Sequence, residues 1–105
     1  MIRYRLSKLP MLLSIFVLMS STGLAADPIR IACVGDSITY GAGIKDREND
    51  NYPVQLGRLL GDGYDVRNYG VNGATMLKQG DLSYWTRPQF KMASDFLPDI
   101  VIIKL

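Results

Sequence analysis

An apolar, largely β-branched run, Ile29 to Val34, stops abruptly at Gly35-Asp36-Ser37. Such a run reads as a buried strand feeding a tight turn. Two further segments, Tyr64 to Tyr69 and Ile100 to Leu105, also read as strands. A helix is expected between the first two. It takes Asp50 or Asn51 as N-cap and Pro53 in its first turn, carries Leu56, Leu59 and Leu60 on one face, and ends at Gly61 and Gly63. A second helix is expected from Thr86, because Thr86 and Gln89 have capping-box spacing and Phe90, Ala93, Phe96 and Leu97 recur at helical intervals. Pro98-Asp99 breaks it. Strand, helix, strand, helix, strand is the order of an α/β protein whose parallel sheet is covered by helices on both faces. Ile38 to Asn51, with Gly41-Ala42-Gly43 and the charged run Lys45 to Asp50, reads as a solvated loop.

The first 25 residues stand apart. Arg3, Arg5 and Lys8 precede a mostly apolar stretch, Leu9 to Met19, and small residues then lead to Ala25 and Ala26. That order is expected of a secretory signal peptide over residues 1–25, with release into a periplasmic or extracellular space. The apolar stretch falls short of the roughly 20 residues that span a bilayer, so no stable membrane anchor is expected. Three of the 12 basic residues lie in this leader, which leaves nine against ten acidic ones in residues 26–105. A near-neutral chain offers no basic stripe for nucleic acid. One cysteine, Cys33, cannot close an internal disulfide, and its place within a strand marks it as a small core residue.

In parallel α/β sheets, binding sites form beyond the carboxyl ends of strands. Two glycine turns are expected there, Gly35-Asp36-Ser37 and Gly70-Val71-Asn72-Gly73. A nucleophilic serine needs an exposed hydroxyl, a free backbone N–H and small neighbours, and Ser37 has glycines on both sides at a strand exit. The tripeptide alone is equally a turn in which Asp36 or Ser37 caps a helix. Asp36 reads as a turn-former and hydrogen-bond acceptor. Asn72-Gly73 also occurs in hairpins, but Ala74 to Asp81 lacks the period-two apolar pattern of a returning strand. Tyr84 and Trp85 read as packing residues rather than as part of a site. No cluster has metal-ligand spacing, and Gly41-Ala42-Gly43 lacks the third glycine of a dinucleotide-binding turn, so no cofactor or metal is expected.

Val34 to Gly41 resembles the first block of the GDSL, or SGNH, hydrolases, and Asn68 to Thr75 resembles the second. Tyr52-Pro53 matches an aromatic-Pro pair that often opens the intervening helix. The resemblance implies a three-layer α/β/α fold of flavodoxin-like type, with residues 26–105 as its N-terminal part, cut after the third strand. It implies that Ser37 is the catalytic nucleophile of an esterase, and that the backbone N–H groups of Ser37 and Gly73 form part of the oxyanion hole. Export together with the resemblance favours acetylated carbohydrate as the substrate. The family's Gly-x-Asn-Asp and Asp-x-x-His blocks are absent, and the sequence contains no histidine. This segment alone is therefore expected to be inactive. The alternatives are a non-catalytic carbohydrate-binding module on the same fold and, less well matched, a nucleotide-binding domain, which would need a phosphate-cradling loop opening straight into a helix.

Overall fold

The computed structural model describes residues 23–105; the leader expected over residues 1–25 lies, as far as residue 22, outside the described residues. Three strands, β1 (Ile29–Gly35), β2 (Tyr64–Gly70) and β3 (Ile100–Lys104), form one parallel sheet in the order β2-β1-β3. Ile29 pairs with Tyr64 and Gly35 with Gly70 on one side of β1, while Ile31 pairs with Ile100 and Gly35 with Lys104 on the other. The chain thus builds its central strand first, adds a neighbour on one side, then crosses to the other. Right-handed crossovers in opposite directions put the two connecting helices on opposite faces.

Side-chain parity shows the same division. Ala32, Val34 and Tyr69 form the core under α4 (Pro88–Asp95) with Ala93, Phe96 and Tyr84, and the Tyr69 and Phe96 rings lie 6.0 Å apart. Val66, on the opposite face of β2, lies against Gly57 of α3 (Tyr52–Leu60). The sheet is therefore a middle layer between helices, the three-layer arrangement expected. Ile31 to Gly35 are buried, as a strand enclosed on both faces and both edges must be. β3 is enclosed on one edge only, and Ile100, Val101 and Ile103 remain about half exposed.

The first helix starts as expected. Asn51 is its N-cap, with the side-chain carbonyl accepting the Val54 N–H at 3.0 Å, and Pro53 occupies the first turn. Gly61, at φ +82, ends it. The leucine face does not form as expected: Leu59 is 85% exposed, and the buried residue of α3 is Pro53. The second helix starts later than its capping-box spacing suggests. Thr86 belongs to a 3-10 turn (Tyr84–Thr86) and donates its hydroxyl to the Ser83 carbonyl at 3.0 Å, so it cannot cap. Arg87 is the N-cap instead, without a side-chain bond. The helix stops at Asp95, and Leu97 takes a positive φ of 50° ahead of Pro98.

The stretch read as a solvated loop contains two single helical turns, α1 (Ser37–Tyr40) and α2 (Arg47–Asp50). Local side chains make α2 possible despite its charge. Asn49 donates to the Asp46 carboxylate, Asn51 donates to the Arg47 carbonyl at 2.6 Å, and the Arg47 guanidinium lies 4.2 Å above the Tyr40 ring. No helix among the described residues is long and apolar enough to cross a membrane.

Candidate active site

The carboxyl edge of the sheet is built around β1. The strand ends at Gly35, and the next residue turns the chain into α1. Asp36 caps this turn, its carboxylate accepting the Ile38 N–H at 2.9 Å, while its own N–H donates to the Lys104 carbonyl of β3 at 3.0 Å. Asp36 is thus the turn-former and acceptor expected of it. The Ser37 carbonyl accepts the N–H groups of both Gly41 and Ala42 at 2.9 Å. As the first residue of the turn, Ser37 has a backbone N–H outside any helical bond, and among the described residues it donates to no other group. The residue is partly exposed. An unengaged N–H and partial exposure are compatible with the part the resemblance implies for this position.

Gly73 stands at the same edge, beyond the neighbouring strand. It occupies a turn closed by the Ala74 N–H on the Val71 carbonyl at 3.1 Å, and its φ of +75° is one that a side chain disfavours. No hairpin follows; the chain instead makes a single parallel bridge between Thr75 and Ser83. The loops carrying Ser37 and Gly73 are fastened together beneath, because the Val71 N–H donates to the Gly35 carbonyl at 2.9 Å. Since Gly35 and Gly70 are register partners, Ser37 and Gly73 leave adjacent strand ends within a few residues of each other in register.

Gly70 has a different part. A methyl group there would sit 2.2 Å from the Tyr40 nitrogen and 2.6 Å from the Thr39 carbonyl carbon. Only hydrogen fits, so Gly70 is the close-packing glycine that lets α1 rest on the end of β2. Beneath this contact lies a polar group that sequence reasoning left without a role. Asn68 donates to the Thr39 carbonyl at 2.7 Å and accepts the Gly70 N–H at 2.8 Å. Thr39 is fully buried, with its hydroxyl 3.2 Å from the Tyr52 hydroxyl. A polar residue in phase with Val66, on the inward face of a strand, was the signal available.

Cys33 is fully buried in the strand, as expected of a core residue. Burial pushes its thiol above the ordinary value, partly offset by a hydrogen bond with Tyr52, and burial likewise raises the Tyr52 phenol. Both therefore stay neutral and serve packing rather than nucleophilic chemistry. Tyr84 is buried too, donating to the Tyr69 carbonyl at 2.7 Å, and its phenol is pushed up to about 12 by burial and by Tyr69. Trp85 is more open; its indole N–H donates to the Met76 carbonyl at 2.9 Å and its ring packs against Phe90. Among the described residues no group of three or more His, Cys, Asp or Glu is placed to hold a metal ion.

Two of the hollows lined by described residues, one at the amino ends of the strands and one under α4, lie away from Ser37. A charged, open one of about 750 Å3, lined by Arg30, Asp65, Arg67 and Asp99, sits at the amino ends of the strands, the wrong edge for such a site. An apolar one of about 160 Å3 lies between α4 and the sheet, lined by Val34, Tyr84, Trp85, Phe90, Val101 and Ile103 among others. Neither includes Ser37 or Gly73.

Residues 33–105 match the GDSL-like Lipase/Acylhydrolase family. Over 79 residues the chain is 52% identical to an acetylxylan esterase of Xylanibacter ruminicola, an alignment covering 75% of this chain and 16% of that protein. The chain thus spans a small part of the length of the relative it matches. No solved structure matches it.

Proposed function

Because the chain belongs to the GDSL-like lipase/acylhydrolase family, we propose that it carries the nucleophile and two oxyanion donors of an exported serine esterase that removes acetyl groups from carbohydrate. The observation that carries this reading is the pairing of two turns at one sheet edge. Ser37, with a free N–H, follows the central strand; Gly73 follows its neighbour; and the Val71–Gly35 hydrogen bond holds the two loops together. The name of the Xylanibacter relative supports acetylated xylan as the substrate.

In this scheme the Ser37 hydroxyl oxygen attacks the acetyl carbonyl carbon as its proton passes to a general base. The carbonyl oxygen becomes an oxyanion, stabilised by the N–H groups of Ser37 and Gly73 at about 3 kcal/mol per donor. Collapse of the tetrahedral species breaks the bond to the sugar oxygen, which takes the proton from the base and leaves as a hydroxyl. Water then attacks the acetyl-serine by the same route, releasing acetate and restoring Ser37. The sequence holds no histidine, so the base is proposed to come from polypeptide outside these 105 residues.

Acetate release from acetylated xylan by the full-length gene product, compared with its Ser37→Ala variant, tests the reading. Turnover should fall by at least about a thousandfold in the variant. An unchanged rate would overturn the assignment of Ser37. If the parent protein bound acetylated xylan and released no acetate, a carbohydrate-binding module would replace the esterase.

A further inference from the structure

We infer that Asn68 is a positioning residue, one that sets the placement of Ser37 relative to Gly73; the inference rests on the reading of those two residues as nucleophile and oxyanion donor. Its side-chain amide joins α1 to the carboxyl end of β2. One end donates to the carbonyl of Thr39, two residues beyond Ser37 on α1, at 2.7 Å. The other accepts the N–H of Gly70, which opens the turn leading to Gly73, at 2.8 Å. The orientation of the amide is fixed by its partners, since a carbonyl can only accept and an N–H can only donate.

The rest of the contact leaves little freedom. Gly70 packs so closely on α1 that a Cβ there would lie 2.2 Å from the Tyr40 nitrogen, and Thr39 is also held through its hydroxyl and Tyr52. The nucleophile turn is too short to hold itself. It is a single helical turn of four residues, and isolated helices of that length do not persist in water. Its position is therefore imposed from outside, and Asn68 ties it to the end of β2, from which the loop carrying Gly73 departs. Asp at this place, when ionised, supplies acceptors and no donor, and Leu supplies neither.

A positioning role predicts lost turnover without lost binding. In the full-length gene product, Asn68→Asp and Asn68→Leu should lower kcat for p-nitrophenyl acetate by about 10- to 100-fold, the order expected when a reacting group is misplaced by a fraction of an ångström to one ångström, with KM within twofold. The Asp variant adds a readout that simple weakening of the fold does not give. Once protonated, the introduced carboxyl offers one donor and one acceptor, as the amide does, so its deficit relative to the parent should shrink as the pH is lowered towards 5, at temperatures far below melting. Cys33, the register partner of Asn68, and Tyr52, hydrogen-bonded to Thr39, are both raised by burial and stay uncharged over that range. Asp36, at the N-cap of α1, is the carboxylate nearest in sequence to the turn and is common to parent and variant.

Ser37→Ala run alongside separates the two ideas. Turnover retained there overturns the nucleophile assignment and the positioning role with it. Turnover lost there but full kcat in both Asn68 variants overturns the positioning role alone. A raised KM with unchanged kcat, a deficit that does not change with pH, or failure of both variants to fold would likewise overturn it, assigning Asn68 to binding or to the fold.

Discussion

The backbone N–H of Val71 donates to the carbonyl of Gly35 at 2.9 Å, one residue beyond the last pair of the β1–β2 ladder. This bond extends the sheet into the two loops that carry Ser37 and Gly73. The loops at this edge are in that sense continuations of the strands, and their spacing is inherited from the sheet rather than set by loop sequence. Rigid elements place reacting groups more closely than free loops do.

Glycine substitutions should separate close packing from helix propensity. Gly70→Ala drives a methyl group into the backbone of α1, and should cost about 1–3 kcal/mol as well as displacing Ser37. Gly57→Ala meets Val66 at an ordinary 3.6 Å within α3, and should stabilise by about 0.5–1 kcal/mol. Urea titration of the two variants checks the opposite signs.

Gly73→Ala tests the turn proposed to supply the second oxyanion donor. Alanine at φ +75 costs about 1–2 kcal/mol, and its methyl group meets Leu82 Cδ1 at 3.0 Å, a flexible side-chain tip that can move aside. The fold should survive while ester turnover falls about tenfold or more, because the turn relaxes and carries the N–H away from the reacting oxygen. Steady-state kinetics with a melting curve decides the point.

Stability should decline in alkali. Burial raises the Cys33 thiol and the Tyr52 and Tyr84 phenols above their ordinary values, Tyr84 to about 12, so the unfolded chain loses these protons first. The folded state then binds more protons than the unfolded one, and stability falls as pH rises. The contribution is complete below the ordinary values of 9.0 for the thiol and 10.0 for the phenols, and is lost as pH climbs through the raised ones. Tyr84→Phe should flatten the upper part of this decline, at a cost of about 1 kcal/mol for the hydrogen bond to Tyr69. Melting temperatures between pH 8 and 12 would show it.

Residues 26–105 made alone should hydrolyse p-nitrophenyl acetate no faster than a small residual rate, since they contain no histidine to activate Ser37. The half-exposed apolar edge of β3 should also make this piece prone to associate. A Ser37-dependent rate equal to that of the full-length gene product would refute the expectation.

Expressed with residues 1–25 in a Gram-negative host, the protein should be processed near Ala25 or Ala26 if that segment acts as the export signal its composition implies. Intact-mass measurement of the periplasmic fraction reads this directly, and retention of Met1 on exported material would contradict it.

The strands and the start of α3 were legible because their signals are local. β1 is buried and without charge from Ile31 to Gly35, and Asn51 with Pro53 is a cap followed by a first turn. The turns α1 and α2 were not legible, because four residues show no period and both are held by contacts made elsewhere in the chain. Thr86 had the right spacing for a cap, yet the 3-10 turn before it already used its hydroxyl. Leu59 shows the limit of an apolar pattern, which marks what could be buried without saying whether anything lies opposite. At the site, Ser37 and Gly73 stood out by motif, whereas Asn68 acquires meaning only when β2 and α1 are seen to meet.

The strand order has a consequence in time. β1 is synthesised first, but Ile29 pairs with Tyr64 and Ile31 with Ile100, so it must wait for partners made 35 and 69 positions later. At about 5–20 residues per second, a ribosome needs roughly 3–14 s to supply the second of them. Until then the most deeply buried strand of the segment keeps at least one open edge. Of the three strands, the one translated first is the one that waits longest for its partners.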